Sequence, residues 1–272
     1  MIGIRTRRRS AAPAERPDHS EPTSRLSIAD VVTLGNAVFG FLAVCRLAAS
    51  MISSGGRPID RRDLAAVVVL LLCAATCDLF DGLVARRFGG SKLGAELDNL
   101  ADVISFGFAP AFFIFCWAGA DAANPLVLCA AALVLVAVVV RLARFANVPM
   151  ADGRFMGMPC PLGAMSVLTI VLLNPPLVPG LIGMAFIAYL MVSRLEYPKP
   201  RGNSAIAVLA WIGVSVGCLC AWALHVPGGE WLLLLGGSLV LLLAVTVPLY
   251  TVASRRRAYR YADMDMDISD PF

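Results

Sequence analysis

Charge is what this chain has least of: Asp, Glu, Lys and Arg together make up 15% of its 272 residues, against about 25% in soluble domains. The hydrophobic residues reach 58% and fall in long runs. This excludes a soluble domain and predicts a multi-pass membrane protein. Histidine is nearly missing, with only His19 and His225. The eight cysteines include no CxxC pair, and all but Cys160 sit well inside apolar runs. They read as small hydrophobes, and neither a zinc site nor a Cys/His nucleophile is expected. The acidic tail Asp263, Asp265, Asp267 and Asp270 lacks the central Gly and terminal Glu of an EF-hand loop and reads as solvated.

The basic residues that do occur cluster at the ends: Arg5, Arg7, Arg8, Arg9, Arg16 and Arg25, then Arg255, Arg256, Arg257 and Arg260. Both ends read as cytoplasmic tails facing lipid headgroups. A nucleic-acid partner would need a folded basic face, so none is expected. Residues 1–27 carry Pro, Ser, Arg and Glu without apolar periodicity and read as a disordered tail. The first apolar run is too long for a signal-peptide core, so no cleavage is expected.

Apolar runs from about residue 28 to 50, 64 to 86, 93 to 118, 125 to 146, 162 to 173, 178 to 191, 205 to 223 and 231 to 252 predict an all-α polytopic bundle of about eight transmembrane helices. With an even number of spans both termini lie inside, and the Arg-bearing loops fit, except for Arg57, Arg61 and Arg62 outside. The domain runs over 28–254, and 255–272 is a second cytoplasmic tail. Pro110 should kink the third span. Trp211, Trp222, Trp231 and Tyr250 fall where interfacial aromatics belong.

Against this apolar background, residues 78–102, DLFDGLVARRFGGSKLGAELDNLAD, hold four aspartates at regular spacing. Asp78, Asp81, Gly82 and Ala85 fall at i, i+3, i+4 and i+7, so they share one helical face, and Gly94, Asp98 and Asp102 share another. If the faces meet, like charges about 4 Å apart repel by roughly 4 kcal/mol per pair at an effective dielectric near 20. An oxygen-only donor set of this kind suits Mg²⁺ or Mn²⁺ beside phosphates. The stretch reads as a one- or two-metal phosphoryl-transfer site. Gly82, Ala85 and Gly94 leave room for a bulky ligand or a neighbouring backbone, and Arg86 adds a cation suited to phosphate. A helix hairpin that uses its polar residues for packing, or an acid-lined cation path as in a transporter, is the alternative.

The pattern DxxDGxxAR followed by GxxxDxxxD resembles the signature of the CDP-alcohol phosphatidyltransferases. Between Arg86 and Gly94 there are seven residues, where the family usually has eight. The resemblance implies a six-helix core plus two C-terminal helices, and metal held by Asp78, Asp81, Asp98 and Asp102. It implies that Asp102 is the general base and that CDP-diacylglycerol is held by Thr33, Gly82, Ala85, Arg86, Ser91 and Gly94, with Asp30 and Asn36 beside Thr33. For Thr33, a hydroxyl bonded back to its own helix is the competing reading.

Four further blocks, DNLADVISFGFAPA, RLARFAN, FMGMPCP and MVSRLEYPKP, resemble the serine-accepting branch, so that the likeness spans roughly 28 to 200. L-serine is then the implied acceptor. Arg141 is the candidate partner for its carboxylate; Arg144 is the second candidate, or else an interface anchor. Glycerol 3-phosphate, inositol phosphate and choline remain as other acceptors. The resemblance also implies a homodimer, at the cell membrane, with its active site on the cytoplasmic face.

Overall fold

The computed structural model describes residues 26–55, 59–147, 154–198 and 203–269; most of the expected disordered tail, 1–27, lies outside them. Helix α1 (Ile28–Ser54) starts where Ser27 and Asp30 cap each other. Asp30 N–H donates to Ser27 Oγ at 3.2 Å, and Ser27 N–H donates to Asp30 Oδ2 at 2.6 Å, a reciprocal pair that satisfies two donors at once. The buried residues of α1 are Ala29, Asp30, Thr33, Asn36, Gly40, Ala43, Leu47 and Ser50. Their spacing of three or four forms one stripe, and most are small, so neighbouring backbones can come close.

Helix α2 (Arg61–Phe88) runs back along α1. Arg46 pairs with Asp63 at one end of this hairpin and Thr33 meets Asp81 at the other. Next comes a continuous rod, Gly94–Trp117, made of α3 (Gly94–Asp102), a π-helical segment (Val103–Phe108) and α4 (Ala109–Trp117). The π segment stands where Pro110 was expected to act by kinking. Pro110 has no N–H for the preceding turn, and the Ala109 amide reaches five residues back to the Ile104 carbonyl. The helix is widened just after Asp102, a distortion frequent at functional sites.

Helix α5 (Pro125–Asn147) is followed by strand β1 (Arg154–Met156), helices α6 (Cys160–Leu173) and α7 (Leu177–Val192), and strand β2 (Glu196–Pro198). The strands pair antiparallel, with Phe155 opposite Tyr197, a small ribbon that the helical reading did not foresee. Helices α8 (Asn203–Ala223) and α9 (Gly229–Ser269) complete the order. Among the described residues, five helices are long and apolar enough to cross a membrane: Ile28–Ser54, Arg61–Phe88, Gly94–Trp117, Pro125–Arg144 and Gly229–Tyr250. Cys160–Leu173, Leu177–Val192 and Ala207–Ala223 are shorter apolar helices. At 14 residues, α6 is about 21 Å long, short of a bilayer core of about 30 Å. It is buried from Gly163 to Leu172 and forms the central post of the bundle.

The α8–α9 hairpin docks on this core. Arg61 pairs with Glu230 at 2.5 Å and stacks over Trp222 at 5.4 Å. Trp222 is therefore buried, not interfacial, whereas Trp231 and Tyr250 are exposed. Tyr197 donates to the Ala244 carbonyl of α9 at 3.4 Å; burial pushes its hydroxyl well above the usual range, so it stays a donor.

Candidate active site

Antiparallel packing of α1 on α2, with α3 against α1, brings the start of α1, the end of α2 and the whole of α3 together. Asp78, Asp98 and Asp102 each place a carboxylate oxygen within 4.8 Å of the others. The convergence that the spacing predicted is present for three of the four aspartates. Asp81 turns to the adjoining cavity, where its Oδ2 accepts from Thr33 Oγ1 at 2.7 Å. The Ala29 carbonyl lies 3.1 Å from the same hydroxyl, so Thr33 reaches across to α2 as well as back along its own helix.

That cavity, of about 180 Å³, is lined by Asp30, Thr33, Asp81, Gly82, Ala85, Gly94 and Asp98, among others. Five of the residues expected to hold the nucleotide or metal end of the substrate, from three helices, thus share one space with Asp30 and Asp98. A Cβ at Gly94 would lie 3.2 Å from Asp30 Oδ1, so a side chain there would press on the buried carboxylate. Ser91 stands at the rim, and its Oγ accepts from the Leu93 amide at 3.1 Å, shaping the turn before α3. Arg86 is exposed and its Nε donates to the Gly82 carbonyl at 3.0 Å. It flanks the cavity without lining it.

The two arginines of α5 part company. Arg141 donates from Nη1 to Cys160 Sγ at 2.9 Å and feels the charges of Asp78 and Asp102. Its Nε is buried without a hydrogen-bond partner among the described residues. Arg144 is exposed and donates from Nη1 to the Val192 carbonyl at 2.6 Å. It thereby satisfies one of the carbonyls that end α7, which is an anchoring contact.

One contact was not read in the sequence. Asn36, expected beside the nucleotide, donates from Nδ2 to Asp102 Oδ1 at 3.2 Å and is not among the residues lining the cavity. Its place on the α1 stripe three residues after Thr33 was the available signal.

The carboxylate cluster fits a divalent cation. All donors are oxygen, as hard cations require. Asp98 Oδ1 is buried with no hydrogen-bond partner among the described residues, a state that costs about 1–3 kcal/mol or more for a charged group unless something fills it.

Fold and site together define a helical membrane protein with an acidic, metal-competent cluster beside a cavity of about 180 Å³. The CDP-alcohol phosphatidyltransferase family model matches residues 26–218, and the chain belongs to that family. It is 33% identical over 189 residues to an archaetidylserine synthase of Methanothermobacter thermautotrophicus, covering 67% of this chain and 74% of that protein. It is 31% identical over 187 residues to a CDP-diacylglycerol–serine O-phosphatidyltransferase of Methanocaldococcus jannaschii, covering 68% and 80%. A Bacillus subtilis protein of the latter name is 28% identical over 176 residues, covering 64% and 92%. Helix α9 lies beyond the matched region.

Proposed function

We propose that this protein transfers the phosphatidyl group of CDP-diacylglycerol to L-serine, giving phosphatidylserine and CMP. The observation that carries the reading is the convergence of Asp78, Asp98 and Asp102 beside the Thr33–Asp81–Gly82–Ala85–Gly94 cavity. The names of the relatives, two of them CDP-diacylglycerol–serine O-phosphatidyltransferases, point to serine as acceptor.

Asp78, Asp98 and Asp102, with Asp81 adjoining, would hold one or two ions of Mg²⁺ or Mn²⁺. A cation bound there would supply positive charge to offset that developing on the pyrophosphate. The rest falls to the chain. Thr33, Gly82, Ala85, Ser91 and Gly94 receive the nucleotide and diphosphate, with Arg86 at the cavity edge. Asp102 takes the proton from the serine hydroxyl. The serine oxygen forms a bond to the lipid-bearing phosphorus, the bond from that phosphorus to the CMP oxygen breaks, and CMP leaves with the electron pair. Arg141, whose Nε–H has no partner among the described residues, pairs the serine carboxylate. Arg144 holds α5 to α7 and serves the site from behind.

The same reading includes eight spans, counting the three shorter helices. The domain covers residues 28–254, both termini are cytoplasmic, and the site opens to the cytoplasmic face of the cell membrane. A homodimer belongs to it by resemblance.

The test is CMP release by detergent-purified protein given CDP-diacylglycerol and Mn²⁺ or Mg²⁺, with L-serine, glycerol 3-phosphate, inositol phosphate or choline. Serine-dependent release that falls by about 10²–10⁴-fold in Asp102→Asn, the range for a lost general base, is the expected result. Release with another acceptor renames the enzyme, and release with none returns the cation-path reading.

A further inference from the structure

Asn36 is fully buried, and among the described residues its side chain has one partner, Asp102, at 3.2 Å. Its Oδ1 is buried without a donor. An unpaired buried amide oxygen costs about 1–3 kcal/mol, so a residue chosen only for packing would be apolar here. Turning the amide over would set Oδ1 against a carboxylate oxygen, a worse contact than none. The arrangement therefore favours one thing, an N–H donated to Asp102, at the expense of the other end of the same group.

The backbone around Asn36 is held with equal care. Ser105 Oγ donates to the Asn36 carbonyl at 2.8 Å. Both residues are fully buried. One turn along α1, Gly40 lies so close to Ser105 that a Cβ would fall 2.4 Å from its Oγ and 2.7 Å from its Cα. Ser105 belongs to the π segment that begins immediately after Asp102. Gly40, Ser105 and Asn36 thus lock α1 to the widened turn that carries Asp102.

We propose that Asn36 is a positioning residue for the phosphatidyl transfer: its Nδ2 fixes one oxygen of Asp102 so that the other faces the acceptor hydroxyl. The inference rests on Asp102 being the general base. It separates Asn36 from its neighbours on the stripe, Asp30 and Thr33, which line the cavity and act on the donor substrate.

The test compares wild type, Asn36→Leu, Asp102→Asn and the double variant by CMP release with CDP-diacylglycerol, L-serine and Mn²⁺, together with thermal unfolding in detergent. Asn36→Leu should lower kcat about 100-fold, the scale of a base misplaced by about 1 Å, with both KM values within roughly threefold of wild type. In the Asp102→Asn background the same substitution should cost nothing further, because both act through one group. If Asn36→Leu does not fold, Asn36→Ala removes the donor without adding bulk or charge, and should show the same split. Retained kcat in Asn36→Leu, or losses that multiply in the double variant, would overturn the inference alone. Wild-type release that does not depend on serine or on Asp102 would instead overturn the proposed function and this inference with it.

Discussion

The acidic cluster and the cavity beside it are neighbours built to opposite rules. In the cluster, Asp78, Asp98 and Asp102 crowd like charges together, with Asn36 as a hydrogen-bond donor and Arg141 as a nearby cation. In the cavity, Asp81 is already satisfied by Thr33, and Gly82, Ala85 and Gly94 define the space. The first region is under electrostatic tension and is completed by charge. The second is shaped by missing side chains and is completed by volume. Substitutions should therefore change kcat and metal dependence in one region and KM for the liponucleotide in the other.

The largest effect is expected at the cluster. Asp98→Asn should lower CMP release by at least about 10–100-fold, since even the outer partners of metal ligands are worth that much, and chelation of divalent ions should do the same to wild type. Without metal, the same substitution should raise the melting temperature, by roughly 2–4 °C for each kcal/mol of repulsion removed. An Asp98→Asn protein that is both inactive and less stable in chelator would show that the cluster carries no such tension.

Arg141→Met comes next. It should raise KM for serine by a factor of roughly 30 or more, since removing one partner of a buried charge pair costs about 2–5 kcal/mol, and leave KM for CDP-diacylglycerol little changed. Steady-state kinetics with serine and with serinamide, which has no carboxylate, check this. The preference for serine over serinamide should shrink.

In the cavity, Ala85→Leu should raise KM for CDP-diacylglycerol about tenfold by occupying space, with Mn²⁺ affinity unchanged; an overpacked site typically costs about 1–3 kcal/mol. A change in Mn²⁺ affinity, read by paramagnetic resonance, would erase the distinction between the two regions. The smallest effect is expected for Thr33→Val, which removes one hydroxyl. A hydrogen bond of about 0.5–1.5 kcal/mol corresponds to a twofold to tenfold rise in the same KM.

The sequence made much of this legible because the signals are local. The i, i+3 and i+4 spacing of Asp78, Asp81 and Gly82, and of Gly94 and Asp98, fixes which side chains share a face, and apolar runs fix the helices. Once two helices lie side by side, convergence follows. Other features depend on contacts between distant segments. The Asn36–Asp102 bond joins positions 66 apart and the Arg144–Val192 bond joins positions 48 apart, and no local pattern encodes either. The π segment was hidden because Pro110 announces a disrupted helix without saying how the turn absorbs it. Trp222 looked interfacial by position, yet Arg61 and the α8–α9 hairpin bury it. The length of α6 was visible; that protein instead of lipid surrounds it was not.

The β1–β2 ribbon has a consequence for how the chain assembles. By pairing residues 154–156 with 196–198, it closes a loop of about forty residues whose ends would otherwise wander, and the logarithmic growth of loop entropy makes such a closure inexpensive relative to its reach. Gly157 seals the closure from inside. At φ 77° its amide donates to the Leu195 carbonyl at 2.8 Å, and a Cβ there would meet the Met191 carbonyl at 2.2 Å. Helices α6 and α7, one too short to span a bilayer unaided, thereby become a single cassette clasped at its open end. The central post can then enter the bundle together with its neighbour, as one cooperative unit of folding, and a bulkier residue at 157 would open the clasp just before Cys160, the hydrogen-bond partner of Arg141.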